Sequence, residues 1–364
     1  MDDDSASSIV GERKLLHRHY AFGLGIRSDL QLPELAQDLL AATLDGGAVP
    51  EITIHEGSHH DWPEIQPSPH STPTLSMSAG EWRLELEAVG WFRAWDGNRL
   101  SWERWDDSVS DRDIRTFLVT SGLGALLIQR GALVLNATTL VRDGKAVLLL
   151  GSPASGKSTL AWCLLQQGWQ LLSSELSVVD SEGLVWPGIQ QLKLWHDTAV
   201  ALDLDWQNLP AVRRGLKRYA LGPADLPVAV DPTPLTLIYG LGRRKPTNQK
   251  SENEKPKEDP ISTVEDATNS SEQQLFRAWA RRSDRESLLT LRNQAYQPRF
   301  YRAMEQEASL FLQASHLLKR VPVHSLNVPD GITKMRNALE DVDLFNPNAL
   351  CREEEPLAAV EIEE

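Results

Sequence analysis

The sequence predicts an α/β fold, with a β-rich N-terminal region over residues 1–110, a loop-bearing domain over 111–345 and an acidic tail over 346–364. Three observations predict it. Glu81 to Glu87 (EWRLELE) alternates apolar and polar side chains strictly, the pattern of a half-buried strand. Ala146 to Leu150 is an unbroken apolar run, as expected of a strand buried on both faces. A glycine-bearing loop follows that run at once, and Ser158 to Gln167 reads as a helix ended by Gly168.

Taken in order, Tyr20 to Ile26 reads as a short strand and Glu51 to His55 as another, while His59 to Pro73 has the Pro and Ser content of a loop. Gly90 to Trp95 and Arg99 to Trp105 flank Asp96-Gly97, a two-residue hairpin signal. Asp111 to Gln129 places Ile114, Phe117, Leu118 and Leu123 at helical spacings and predicts one amphipathic helix. Ala132 to Val141 is strand-like, and Arg142-Asp143-Gly144-Lys145 turns it into the apolar run. Beyond the loop helix, Trp169 to Leu172 and Leu176 to Val179 read as strands. Ser181-Glu182-Gly183 then turns into Leu184 to Trp186. Arg243 to Gln273 is rich in Lys, Glu, Asn, Pro and Ser and nearly free of aromatics, which predicts a disordered insertion. Folding is expected to resume with Leu275 to Arg281 and Arg285 to Leu291. A single long helix over Phe300 to Arg320 and a last strand over Val321 to Leu326 follow.

Composition narrows the function classes. The chain has 364 residues and a formal net charge of -14, so nucleic acid and anionic membrane are both repelled and neither is an expected partner. The two cysteines, Cys163 and Cys351, make neither a disulfide framework nor a zinc site. The N-terminus is acidic and lacks an apolar signal core. The longest apolar stretch, around Gly124 to Leu135, is broken by Gln129 and Arg130. A cytoplasmic protein is the expectation, with homo-oligomerisation left open.

The loop carries the chemistry. Gly151-Ser152-Pro153-Ala154-Ser155-Gly156-Lys157-Ser158, with Thr159 after it, fits the pattern GxxxxGK[ST] in the required strand–loop–helix context. Backbone N–H groups of such a loop face phosphate oxygens beside the positive end of the helix. Lys157 is placed to reach the β- and γ-phosphates, and the Ser158 hydroxyl to bind Mg2+. The magnesium also calls for a carboxylate from a neighbouring strand end. Glu175 is the first candidate, with Asp180 and Glu182 behind it.

The stretch Leu133 to Trp186, through LVLNATTLVRDGKAVLLLGSPASGKSTLAWCLLQQGWQLLSSELSVVD, resembles the HPr serine kinase/phosphorylase family and its looser HPr-kinase-like relatives. A hairpin ahead of the loop carries the likeness. It extends more weakly to Tyr20-Ala21-Phe22-Gly23-Leu24 with Pro33-Glu34-Leu35, to Leu216-Lys217-Arg218-Tyr219, and to the C-terminal helix and strand. The resemblance implies a P-loop kinase core of the type shared with phosphoenolpyruvate carboxykinases. It also implies ATP and Mg2+ as cofactors, and an unidentified acceptor hydroxyl on a protein, peptide or small molecule. The family expects a His on the first hairpin strand and an Asp-Asp pair after the loop helix. Counted without gaps from Lys157, these positions hold Asn136, and Ser174 with Glu175. Lys157, Glu175, Asn136 and Ser174 are therefore the catalytic candidates. The family's base position is a serine, which accepts no proton near neutral pH. Two readings stand: an ATP-dependent kinase, or an ATP-binding regulator or scaffold without turnover.

Other residues carry less. His55, His59 and His60 with Glu56 match no metal spacing, and an exposed loop explains them. The 12 tryptophans are scattered, and Trp82, Trp91, Trp95, Trp102 and Trp105 fall on strand patterns that fit core or sheet-face packing. Lys217 and Arg218 read equally as phosphate ligands or as a solvated basic pair. Arg299 and Arg302 are weaker candidates.

Overall fold

The computed structural model describes residues 17–36, 51–243, 278–279, 282–329, 331–340 and 343–346. The expected insertion after Arg243, the tail beyond Asn346, and Cys351 lie outside the described residues.

The N-terminal region is β-rich. Strands β1 (His17–Ala21), β2 (Leu24–Ser28), β3 (Glu51–Glu56), β4 (Leu75–Ser78), β5 (Glu81–Leu86), β6 (Gly90–Trp95) and β7 (Arg99–Arg104) form a seven-stranded sheet in the order β1-β2-β3-β7-β6-β5-β4. The strand expected over Tyr20 to Ile26 is a hairpin, because Phe22 and Gly23 both take positive φ and reverse the chain. The Asp96-Gly97 turn lies between β6 and β7 as expected, pairing Trp95 with Arg99.

The helix expected over Asp111 to Gln129 is interrupted. α1 (Asp111–Phe117) passes through a π turn, Leu118–Gly122, into α2 (Leu123–Gln129). The Thr120 hydroxyl donates to the Thr116 carbonyl at 2.5 Å across this turn. Gly124 lets Tyr296 press onto the helix, since a Cβ there would lie 2.6 Å from that ring.

A nine-stranded mixed sheet follows. Its strands are β8 (Leu133–Leu135), β9 (Ala137–Arg142), β10 (Lys145–Leu150), β11 (Gln170–Ser173), β12 (Ser177–Val179), β13 (Leu184–Val185), β16 (Thr233–Arg243), β17 (Ala278–Trp279) and β18 (Val323–Val328). A separate two-stranded ribbon pairs β14 (Leu192–Trp195) with β15 (Arg218–Leu221). The helices are α3 (Lys157–Leu165), α4 (His196–Ala201), α5 (Asp284–Asn293), α6 (Pro298–Ala303), α7 (Glu307–Leu318) and α8 (Ile332–Glu340). β10 is antiparallel to β9 and parallel to β16, which is parallel to β18. The strand expected over Ala132 to Val141 splits at Asn136, and β8 pairs with β12 while β9 pairs with β10 and β11. The helix expected over Phe300 to Arg320 breaks between α6 and α7, where Glu305 adopts φ 58°. The last strand begins two residues later than expected, because Val321 caps the turn after α7.

One hydrophobic cluster runs from Ile52, Trp82 and Phe92 of the first sheet through α2 to one face of the second sheet. A second, with Leu149, Leu164, Trp169 and Met335, fills the opposite face beneath α3 and α8. β10 is therefore covered on both sides, which explains its unbroken apolar sequence. No described helix is long and apolar enough to cross a membrane.

Candidate functional site

The glycine-bearing loop leaves the C-terminal end of β10 and enters α3 at Lys157. Ser155 N–H donates to the Ser152 carbonyl at 3.1 Å, closing the loop on itself. Ala154 (φ 63°) and Gly156 (φ 94°) take left-handed conformations, the second favouring glycine. Left-handed residues interleaved in a tight loop turn backbone N–H groups toward a common concavity, an arrangement able to hold an anion.

That loop borders a cavity of about 600 Å³. Of the residues expected to form the site, Pro153, Ala154, Gly156, Lys157, Ser158 and Thr159 line it, together with Asn136, Ser174 and Glu175. Gly151, Ser152 and Ser155 do not. The carbonyls of Gly151 and Ser152 instead accept hydrogen bonds from Lys157 Nζ, the second at 3.3 Å. Burial pushes the Lys157 ammonium down to about 8, against the opposing pull of Glu175 and with a smaller push from Arg218.

Glu175 occupies a left-handed position (φ 63°) just beyond β11. Its Oε2 accepts from Lys193 Nζ at 2.6 Å, and its Oε1 lies 3.6 Å from the Arg218 guanidinium. Burial raises the carboxyl, but Lys193, Arg218 and Lys157 outweigh it and hold the group below the usual carboxylate range. Lys193 is nearly inaccessible, with 4% of its side chain exposed. Ser174 is buried, and its hydroxyl donates to the Gln191 carbonyl, so it is committed to the backbone. Asn136 is fixed at the break between β8 and β9, its N–H donating to the Gln294 carbonyl at 2.8 Å.

Residues missed by the sequence reading complete the wall. Lys193, Arg213 and Trp195 line the cavity, as does Tyr296, whose phenol burial pushes up to about 12. Lys193 had one signal, a lysine between Leu192 and Leu194 in an apolar run. Arg218 lines the cavity, with its Nε buried and lacking a hydrogen-bond partner among the described residues. Its neighbour Lys217 is exposed, so the basic pair divides its roles.

Charge is what distinguishes this cavity. Four cations line it, Lys157, Lys193, Arg213 and Arg218, against one acid, Glu175, among the described residues. The local balance is opposite to that of the whole chain. Its chemistry suits an anion of several charges.

The remaining candidates lie elsewhere. Asp180 caps the turn before β13, accepting from Glu182 and Leu184 N–H and from Trp186 Nε1 at 2.8 Å, and Glu182 is exposed on that turn. Arg302 pairs with Glu307 at 3.4 Å, and Arg299 is exposed. His59 stacks on Trp91 with centroids 4.0 Å apart and pairs with Glu103 at 2.6 Å. No group of three or more His, Cys, Asp or Glu suited to a metal occurs among the described residues. The tryptophans divide as expected, Trp82 in the core and Trp91 with Trp105 stacked on the first sheet.

A scan against protein-family models gives no match for this chain, and a search of curated proteins gives none either.

Proposed function

We propose that this chain binds ATP with Mg2+ at the Gly151–Ser158 loop and transfers the γ-phosphoryl group to an acceptor hydroxyl, as an HPr-kinase-like protein. The observation that carries the reading is the cationic cavity at the mouth of a strand–loop–helix unit. Loop N–H groups and Lys157 hold the phosphates in this reading, and Lys193, Arg213 and Arg218 neutralise charge on the transferring group. Lys157 exchanges its carbonyl partners for phosphate oxygens, which restores its full charge.

The cofactors fit unequally. The triphosphate fits the loop and its four cations. For magnesium, the Ser158 hydroxyl is a suitable ligand and the ion supplies charge neutralisation when bound. Glu175 fits less well as a direct ligand, because both its oxygens already face cations at 2.6 and 3.6 Å. Its role in this reading is to orient Lys193 and Arg218. Ser174 is no base, since its hydroxyl is given to Gln191. Phosphoryl transfer tolerates that loss, because positioning and charge supply most of its rate.

The same two observations favour a second reading, an ATP-binding regulator or scaffold without turnover. The test is incubation of purified protein with γ-labelled ATP and extract from its own source. A labelled acceptor supports the kinase; ATP binding with no labelled acceptor supports the regulator.

A further inference from the structure

We infer that the acceptor hydroxyl is presented on an acidic peptide segment, which docks on the basic loop 213–218 at the mouth of the cationic cavity; this rests on the proposed phosphoryl transfer. The loop carries Arg213, Arg214, Lys217 and Arg218, and residues 206–224 hold no acid. On a chain of net charge -14 such a run is the reverse of the average surface.

The backbone divides these cations between two faces. Gly215 takes φ 75° and turns the chain between the two pairs. Arg213 and Arg218 are half-buried and line the cavity. Arg214 and Lys217 are exposed, and neither has an acid partner among the described residues. The arrangement is pinned from two sides. On α1, Asp113 Oδ1 accepts the Arg214 N–H at 3.2 Å, and Thr116 Oγ1 donates to the Val212 carbonyl at 3.2 Å. On α4, the His196 N–H donates to the Lys217 carbonyl at 3.0 Å. Asp111, the other acid in the first turn of α1, is taken by Arg104 at 2.6 Å. The outer cations therefore stand on fixed backbone with their charge unspent. Trp195 adds apolar surface to the same rim. It is 50% exposed, lines the cavity and lies opposite Arg218 in the ribbon of β14 and β15.

The two faces suit two ligands. The inner cations face the polyphosphate, and the outer pair lies beside the opening through which an acceptor reaches it. Exposed charges of this kind steer and align a partner of opposite sign. A short acidic peptide fits better than a nucleic acid. A long polyanion extends past the loop over a surface of net negative charge, whereas a short segment touches the loop and Trp195 alone.

Fluorescence anisotropy tests the docking with three labelled octapeptides, each with a central serine and one leucine, and otherwise glutamate, glutamine or lysine. They are titrated into the wild-type chain and the double variant Arg214→Gln with Lys217→Gln; ATP with magnesium is titrated into both by calorimetry. Both positions are exposed, so the double variant should fold, which melting curves verify. The glutamate peptide should bind the wild type about tenfold more tightly than the glutamine peptide, and lose about tenfold in the double variant. Its affinity should fall as salt rises, while ATP affinity stays within about twofold between the two chains. Equal affinity for the glutamate and glutamine peptides overturns the docking site, as does an unchanged glutamate peptide in the double variant. A thymidine octanucleotide that binds as tightly as the glutamate peptide overturns the choice of a peptide. In each of these cases ATP binding still stands. If ATP fails to bind the wild type, the proposed transfer falls and the acceptor role of the loop with it.

Discussion

The first sheet and the loop cavity handle charge in opposite ways. On the first sheet four arginines have a local acid. Glu81 serves Arg83 and Arg93, each at 2.6 Å; Arg27 pairs with Glu51, and Arg104 with Asp111. Around the loop one acid faces four cations, two of them strongly desolvated. Neutralised charge on a sheet face keeps a protein soluble and contributes little else. Partly buried cations in excess of their counter-charge are costly, and a chain with net charge -14 has ample acid with which to balance them. The imbalance is therefore the feature that asks for a functional explanation, and a polyphosphate supplies one.

The comparison breaks most readily at Lys193. Lys193→Met leaves Glu175 partly buried without its closest counter-charge, so it should cost about 3–5 kcal/mol of stability and weaken tripolyphosphate binding. Glu51→Gln on the first sheet is the control. Arg27 and Glu51 are both well exposed, so little change in stability and unchanged anion binding are expected. Denaturant melts and calorimetry on the two variants measure the contrast; equal effects would erase the distinction between the regions.

Ser174→Asp comes next. The substitution removes the donor to the Gln191 carbonyl and sets a carboxylate against it in a buried position. A loss of about 1–3 kcal/mol is expected, with no gain in phosphoryl transfer. A rise of tenfold or more in transfer would show that a base fits there after all.

The smallest effect is in pH. Lys157 titrates near 8 in the free protein, and bound phosphate raises that value. ATP binding should then take up protons above about pH 8 and weaken as pH rises further. Calorimetry in buffers of different ionisation enthalpy detects the uptake. For Glu175 the sign is opposite: its folded-state value is depressed, so its stabilisation is present above the unfolded carboxylate range and is lost as pH falls through the folded value. Acid denaturation of Glu175→Gln should accordingly begin from lower stability but show a shallower pH dependence.

How much of this was legible in the sequence follows from the range of the interactions. The β10 strand, the loop and α3 were readable because burial on both faces, glycine and helix start all act within a few residues. The Asp96-Gly97 and Asp143-Gly144 turns were readable for the same reason. The break at Asn136 was not, since a partner distant in sequence, Gln294, holds it; the π turn and the turn at Glu305 were not read either. In the site, Glu175 was found and Arg218 was named a candidate, but Lys193 was not. Lys193 lies opposite Ala220 and Arg218 opposite Trp195 on the ribbon of β14 and β15, and nothing local foretells that this ribbon brings both cations to Glu175. Ser174 was assigned a place in the chemistry, whereas its bond to Gln191 depends on a loop that sequence did not locate.

The most direct measurement is calorimetric titration of ATP with magnesium into the wild-type chain and Lys157→Ala. One saturable site is expected in the wild type. The substitution should weaken it by roughly 10- to 150-fold, the worth of one charged hydrogen-bond donor at about 1.5–3 kcal/mol. No binding in the wild type, or the same affinity in Lys157→Ala, would contradict phosphate binding at this loop.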